Sequence, residues 1–362
     1  MIGPGSRIYP KSPLGEVEPG IPTGRDVPWE PLVDYRRAGI SETTIHGAVA
    51  WASGGQVVHH FGGNVLCYGR SMMKPLMIKG VAGALTEGLS WEQRAISVAS
   101  HNGTPEHVAT AQSLLPEDER GLMQTPLDVP LVQFGRQVRR PRRWYHCCSG
   151  EHAAILMASR RLGWSRVGYT LPSHPFFLAY LDVLRRTLGA DWNPKRVARD
   201  GCGLPTCSNT VGELALLFAS LAEHRDEDWI WEAMVRHPDL VGGFNRLDST
   251  ILKAGEGRVL AKEGADGLLG LAIIHPDYPA GLGVVIKIAH GWNPQATWYI
   301  ARAVLGVLGF ALRNPYPLHR QKAFLVPGVV PPERLAALEQ IPTWDDWDPD
   351  RDRYEFEGGW GP

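Results

Sequence analysis

The chain has 362 residues, and its 37 lysines and arginines against 38 aspartates and glutamates give a formal net charge of -1. This balance argues against a nucleic-acid or anionic-membrane partner, because both require an excess of positive charge. The composition, with 44% hydrophobic and 21% charged residues, is typical of a folded protein. The sequence has no apolar run of the roughly 18 residues that span a membrane and no apolar leader. These features predict a soluble, cytoplasmic protein.

The two ends of the chain differ in composition from the part between them. Residues 1–40 contain seven prolines and six glycines without clear periodicity, which predicts an extended arm. Residues 341–362 are acidic and aromatic and predict a second irregular segment. Residues 41–340 are expected to form one domain.

Short β-rich runs follow the predicted arm. They occupy residues 45–51, 56–62 and 65–69, and Ser-Gly-Gly and Gly-Gly-Asn turns separate them. Three short runs joined by such turns predict a three-strand meander. Strand patterns return late in the chain, at residues 258–262, 268–274 and 282–290.

The middle of the chain has a helical pattern. Apolar residues recur at a spacing near 3.6 through much of residues 90–255, and a further buried helix is expected from about Gln295 to Leu312. Antiparallel strands from both ends of the chain can pair into one sheet, which leaves the middle as an inserted subdomain with a cleft beside it. We therefore predict an α/β fold, with an antiparallel sheet flanked by helices plus an all-helical subdomain.

Ser71-x-x-Lys74 lies where a predicted strand ends and a helix begins. Residues three apart share a helix face, so the lysine amine can reach the serine hydroxyl. Serine is a poor nucleophile unless a base accepts its proton, and lysine is such a base when burial or a nearby cation such as Arg70 lowers its pKa. The alternative is an exposed serine beside a solvated lysine, and for the motif alone that alternative is favoured.

Two further motifs favour the catalytic interpretation. Ser100-His101-Asn102 follows a predicted helix, and Lys262-Glu263-Gly264 ends a predicted strand. Taken singly, Ser100 is as readily a helix cap and Lys262 a solvent-facing strand end. The order S-x-x-K, S-x-N, K-x-G is similar to the pattern of penicillin-binding proteins and β-lactamases, in which the three motifs meet in one cleft.

Flanking residues make the comparison more specific. The blocks read YGRSMMKP at 68–75, SHNGTPEHV at 100–108, CSGEHA at 148–153, DGCGLP at 200–205 and LAKEGADG at 260–267. Together they resemble the L-asparaginase II family of the rhizobial type. The resemblance implies a single catalytic domain with the fold of serine β-lactamases and glutaminases.

The resemblance also implies roles for four residues. Ser71 would be the acylated nucleophile and Lys74 its base. Ser100 and Lys262 would form a second Ser-Lys pair that relays protons and lowers the pKa of Lys74. The implied reaction is hydrolysis of the side-chain amide of L-asparagine to L-aspartate and ammonia through an acyl-enzyme.

An amino-acid substrate also needs its charged groups held. Arg70 is expected to bind the α-carboxylate, and Asp200 to bind the α-ammonium or orient another group. His101, Asn102 and His152 lie inside the matching blocks and are expected to orient the substrate.

The five cysteines are an odd number without a CxxC pair, which argues against a disulfide framework and for reduced thiols. Cys148 and Cys202 occupy positions that in the family bind zinc together with a lysine, but Glu151 stands in place of that lysine. Glu151 can itself ligate zinc or pair with Lys262. The alternative is that these cysteines are small buried core residues. No organic cofactor is expected.

The sequence leaves three hypotheses of function open. The first is an L-asparaginase-like amidohydrolase acting on a small-molecule amide. The second is a glutaminase or another serine acyl-hydrolase on the same fold. The third is a catalytically silent amino-acid-binding protein, favoured by the negative charge of Glu151. The family and the two irregular ends predict a homodimer.

Overall fold

The computed structural model describes residues 27–131, 140–316 and 322–341 of the chain. Strands and helices alternate irregularly along these residues. The strands are β1 (Glu30–Arg37), β2 (Ile40–Ser53), β3 (Gln56–Phe61), β4 (Leu66–Tyr68), β5 (Val197–Arg199), β6 (Pro205–Thr210), β7 (Val259–Gly264), β8 (Leu268–His275), β9 (Tyr278–Ile288) and β10 (Lys322–Leu325). The α-helices are α1 (Lys74–Lys79), α2 (Trp91–Ser97), α3 (Pro105–Ser113), α4 (Ser149–Arg161), α5 (Pro175–Leu188), α6 (Val211–Glu223), α7 (Ile230–Arg236), α8 (Pro238–Val241), α9 (Leu247–Ala254), α10 (Pro294–Gly306) and α11 (Leu335–Leu338).

A seven-stranded antiparallel sheet joins the two ends of the described chain. Its strand order is β10-β1-β2-β9-β8-β7, and β3 pairs with β2 outside this path. Side chains alternate along β2, so that Val49 and Trp51 face one hydrophobic core while Ala48, Ala50 and Ala52 face the other. Both faces of the sheet are therefore buried.

Helix α10 covers one face of this sheet, and α6 lies across β9, β8 and β2 on the other. Glycines allow α6 to approach closely. A Cβ atom at Gly283 would lie 2.0 Å from the Ala215 carbonyl oxygen, and one at Gly270 would lie 2.3 Å from the Phe218 ring. The helix backbone thus packs almost directly on the sheet backbone.

A second, three-stranded sheet has the order β4-β6-β5. Its β4 pairs with β6 rather than with β3, so the predicted meander of three consecutive strands is wrong in its last member. The region predicted as all-helical, residues 90–255, contains β5 and β6, and it also contains α6, which packs on the large sheet. Short strands with mixed polarity, such as PTCSNT in β6, have no periodicity that separates them from loops.

The predicted arm is wrong for its last part. Residues 30–37 form β1, because Leu32, Val33 and Tyr35 are buried and the strand pairs with β2 and β10. Residues 1–26, and all but the first residue of the predicted tail at 341–362, lie outside the described residues. The predicted helix from Gln295 to Leu312 ends at Gly306.

The mixed α/β class with an antiparallel sheet and flanking helices is confirmed. Among the described residues, no helix combines the length and the apolar character required to cross a membrane.

The close packing of α6 on the sheet leads to a stability prediction. Gly283→Ala places a methyl group against the α6 backbone, which cannot move without separating two core layers, so we expect a loss of about 2 kcal/mol or more. Gly83→Ala is the matched control, because a Cβ there meets no atom within 4 Å. Urea denaturation of both variants measures the difference. Equal stability of the two would contradict the packing argument.

Candidate active site

The segment that carries Ser71 begins where β4 ends. A short 3-10 helix, Arg70–Met73, leads directly into α1, where Pro75 occupies the first turn. Ser71 is half-buried, whereas the Lys74 side chain is fully buried. Both residues line a small cleft, to which Glu151, Asp200, Cys202 and Thr206 also contribute.

The ammonium group of Lys74 contacts groups other than Ser71. Its Nζ donates a hydrogen bond to the Ala99 carbonyl oxygen at 2.5 Å and lies 3.5 Å from Glu151 Oε2. Within the described residues, the Ser71 hydroxyl has no hydrogen bond to Lys74 and instead lies 4.0 Å from Cys148 Sγ. Burial lowers the pKa of Lys74, but the negative charges of Cys148 and Glu151 outweigh this and raise it. The expectation of a lowered pKa is therefore reversed.

Ser100 and Lys262, the second predicted pair, have different partners in the protein. The Ser100 backbone N–H donates to the Val241 carbonyl oxygen at 2.8 Å, and its hydroxyl is buried without a hydrogen-bond partner among the described residues. Lys262 Nζ donates to Asp248 Oδ2 at 3.1 Å and to the Glu263 carbonyl oxygen at 3.0 Å. Glu151 thus contacts Lys74, and Lys262 pairs with Asp248 instead.

Asp248 and Arg246 are site residues that the motifs did not identify. Asp248, in the first turn of α9, forms an ion pair with Lys262 in which both side chains are fully buried. Burial lowers the pKa of Lys262 and would raise that of Asp248, but the charges of Lys262 and Arg246 lower the pKa of the carboxyl. Arg246 donates to the Ser100 carbonyl oxygen at 3.0 Å and to Glu263 Oε2 at 3.2 Å, so it links the two motifs.

Arg70 adopts an unusual backbone conformation beside the nucleophile segment. Its φ of 53° lies in the left-handed region, which costs a residue with a side chain roughly 1 kcal/mol. Its Nε donates to Asp200 Oδ1 at 2.5 Å, and its Nη1 contacts Asp266. The structure therefore brings Arg70 and Asp200 together as an ion pair, and Asp266 joins them.

Cys148, Glu151 and Cys202 form a buried cluster with ligand atoms within 4.8 Å of one another. Hydrogen bonds from the thiols of Cys147 and Cys202 and the nearby charge of Lys74 lower the pKa of Cys148 well below its usual value. Burial raises the pKa of Glu151, and the positive charge of Lys74 opposes this rise. The cluster therefore offers a thiolate and a carboxyl group in a site shielded from water.

These donors fit a metal ion. Two cysteines and a carboxylate are ligands that zinc accepts, and Glu151 Oε1 is buried without a hydrogen-bond partner among the described residues. His146, Cys147 and Cys148 form a second possible group that shares Cys148 with the first. Cys207 lies in β6 outside both groups.

The side chains of His101 and Asn102 form hydrogen bonds within the chain and do not line the cleft. The Gly103 N–H donates to His101 Nδ1 at 3.1 Å, so Nε2 carries the proton and donates to Ser149 Oγ at 2.9 Å. Asn102 Nδ2 donates to the Phe244 carbonyl oxygen at 3.0 Å. Both side chains are fully buried, and they hold the segment after Ser100 in place.

His152 also lies behind the cleft. Its Nδ1 is 2.7 Å from the hydroxyl of Tyr169, and burial lowers its pKa to about 3, so the ring is neutral. Its Nε2 has no hydrogen-bond partner within the described residues. The structure thus does not place any of the three predicted orienting residues on the cleft wall.

Comparison with known proteins shows the family of the chain. The family model described as L-asparaginase II matches residues 33–327, which is most of the chain. A search of curated proteins found no match. The chain belongs to the L-asparaginase II family. That membership indicates an amidohydrolase whose substrate is a small-molecule amide.

The buried Lys262–Asp248 pair yields a second stability prediction. Asp248→Asn removes the counter-charge and leaves a buried ammonium, so we expect a loss of about 3 kcal/mol. Lys262→Met added to Asp248→Asn removes that unpaired charge and should restore part of the stability. Urea denaturation of the two single variants and the double variant measures this coupling. Asp239→Asn, in an exposed pair with Lys253, is the control and should change little. If the loss of stability in the double variant equals the sum of the losses in the two single variants, Asp248→Asn and Lys262→Met, the pairing is contradicted.

Proposed function

We propose that the protein hydrolyses the side-chain amide of L-asparagine to L-aspartate and ammonia. One observation carries the proposal: Ser71 and the buried Lys74 open onto the same small cleft in a chain of the L-asparaginase II family. The proposal includes the β-lactamase-like form of the fold, because the sequence motifs imply it.

Ser71 Oγ would attack the amide carbon and lose its proton to the Lys74 amine. The backbone N–H of Ser71, at the start of its helical segment, would stabilise the oxyanion that forms. Lys74 would then return the proton to the leaving nitrogen, so that ammonia departs and an ester to Ser71 remains. Water would attack this ester and release L-aspartate.

The second pair would support these proton transfers. The Ser100 hydroxyl is buried without a partner among the described residues, so it can hydrogen-bond to a group that enters the site. Lys262, paired with Asp248, would supply positive charge near Lys74. Arg70 would bind the α-carboxylate of the substrate, and Asp200 would hold the Arg70 guanidinium in place.

Zinc is part of the proposal, held by Cys148, Glu151 and Cys202. Zinc bound there would supply positive charge that offsets the thiolate and the carboxylate beside Lys74. Glu151 itself lies 3.5 Å from the Lys74 amine, so it would help to position that amine in the cleft.

A second candidate function is binding of an amino acid without turnover. Glu151 favours it, because a carboxylate beside Lys74 keeps that amine protonated and unable to accept a proton. Tight binding of L-asparagine without ammonia release would identify this function. A glutaminase would instead release ammonia faster from L-glutamine. A homodimer and a cytoplasmic location stay predictions of the sequence.

Removal of the nucleophile tests the proposed reaction. Ser71→Ala removes the atom that forms the acyl-enzyme, so we expect ammonia release from L-asparagine to fall about a thousandfold or more. Ser165→Ala, an exposed serine on the surface, should leave the rate unchanged. The assay measures ammonia with L-asparagine, L-glutamine and their D-forms. Equal rates for Ser71→Ala and wild type would exclude Ser71 as the nucleophile.

Metal content tests the proposed zinc site apart from activity. Cys202→Ser and Glu151→Gln each change a ligand. Loss of an outer-shell partner alone typically weakens metal binding by about 10- to 100-fold, so we expect loss of a ligand to weaken zinc binding at least as much. After dialysis, elemental analysis should therefore show less zinc per chain than in wild type. Cys207→Ala changes another buried thiol outside the cluster and should retain zinc. Zinc-free wild-type protein, after reconstitution with zinc, would contradict the assignment.

A further inference from the structure

Two carboxylates meet at the guanidinium of Arg70, and their surroundings differ. Asp200, between β5 and β6, accepts a hydrogen bond from Arg70 Nε at 2.5 Å, and Asp266, in the turn between β7 and β8, contacts Arg70 Nη1. The Asp200 side chain is 12% exposed, whereas that of Asp266 is 65% exposed. One guanidinium is thus shared by one enclosed and one open carboxylate.

Asp200 is a fixed partner of Arg70. The same Oδ1 atom also accepts the Gly201 N–H at 2.6 Å. Its backbone N–H donates to the Leu204 carbonyl oxygen at 2.8 Å, and its own carbonyl oxygen accepts the Gly203 N–H at 2.9 Å. Moving this carboxylate would therefore disrupt the loop that carries it.

Asp266 has a fixed backbone and a largely exposed side chain. Its carbonyl oxygen accepts a hydrogen bond from Lys287 Nζ at 2.6 Å, and the turn is closely packed, since a Cβ at Gly267 would lie 2.2 Å from the Gly291 carbonyl oxygen. The carboxylate itself contacts solvent and Arg70. Exposed ion pairs contribute little net free energy, because water competes for both charges. The contact of Asp266 with Arg70 is therefore the one that a ligand can replace.

We propose that Asp266 binds the α-ammonium group of the substrate when the substrate α-carboxylate replaces Asp266 on Arg70. This inference rests on the proposed function, because it takes an amino-acid amide as the ligand of the cleft. Arg70 then keeps two carboxylate partners, Asp200 and the substrate, and the displaced Asp266 gains a cationic partner. Every charge is paired before and after binding.

The exchange selects for α-amino acids. A ligand with the carboxylate but without the ammonium would displace Asp266 and leave it beside a second negative charge with no cation to balance it. Such a ligand should bind more weakly than its amino-acid counterpart. The weaker binding of a ligand that lacks the ammonium group thus contributes to the selectivity as much as the contact between Asp266 and the ammonium group of an amino acid.

The experiment compares L-asparagine with succinamate, which is the same amide without the α-amino group. Asp266→Asn should raise KM for L-asparagine about tenfold or more, as expected for loss of a hydrogen bond to a charged group, with kcat within about twofold of wild type. KM for succinamate should stay the same or fall. Asp277→Asn is the matched control, because Asp277 is also an exposed aspartate at a hairpin turn with an arginine partner. An equal rise in KM for both substrates, or no rise for either, would overturn the proposal.

Binding measurements separate this proposal from the proposed reaction. If wild-type protein hydrolyses neither compound, the proposed function fails and the binding proposal is judged by calorimetry with L-aspartate and succinate. Wild type should then bind L-aspartate about tenfold or more tightly than succinate, and Asp266→Asn should remove that preference. A preference that survives in Asp266→Asn, or no binding of L-aspartate to wild type, would overturn the assignment of Asp266.

Discussion

The two lysines of the candidate site are buried, and the arrangement of the site depends on how their charges are balanced. Lys74 and Lys262 are both fully buried. An unpaired buried charge is so costly that each lysine requires a partner of opposite charge. Asp248 on α9 supplies it for Lys262, and Glu151 on α4 supplies it for Lys74. The positions of these two helices are therefore constrained by charge as well as by apolar packing.

The small sheet, β4-β6-β5, positions several residues of the cleft. Strand β4 leads directly into Ser71, and its partner β6 follows the loop that holds Asp200 and Cys202. Pairing of β4 with β6 thus places the hydroxyl, a carboxylate and a thiol on one side of the cleft. Arg70 reaches back to Asp200 across this sheet, and that contact holds its left-handed backbone.

The sequence predicted the serines, lysines and thiols of the site, but not the groups that neutralise them. Ser71, Lys74 and Cys148 lie in short blocks that together resemble those of the family, and this resemblance indicated their chemistry. Asp248 lies in a helix of ordinary amphipathic pattern, and its pairing with Lys262 depends on how α9 packs against β7. Likewise, periodicity placed β4 correctly as a strand, but its partner β6 is distant in sequence. Local pattern determines which elements form, whereas long-range packing determines which residues meet.

Glu151 shows why that distinction matters for chemistry. A lysine at this position, as in the family, would face Lys74 as a second cation and lower the pKa of the Lys74 amine. Glu151 has the opposite effect, and together with Cys148 it raises that pKa. In the proposed reaction, Lys74 would therefore accept a proton from Ser71 only when the negative charge beside it is neutralised, either by a proton or by a bound cation. The one substitution thus changes the site from a pair of competing cations to an ion pair, and it makes the basicity of Lys74 depend on what else binds to Glu151.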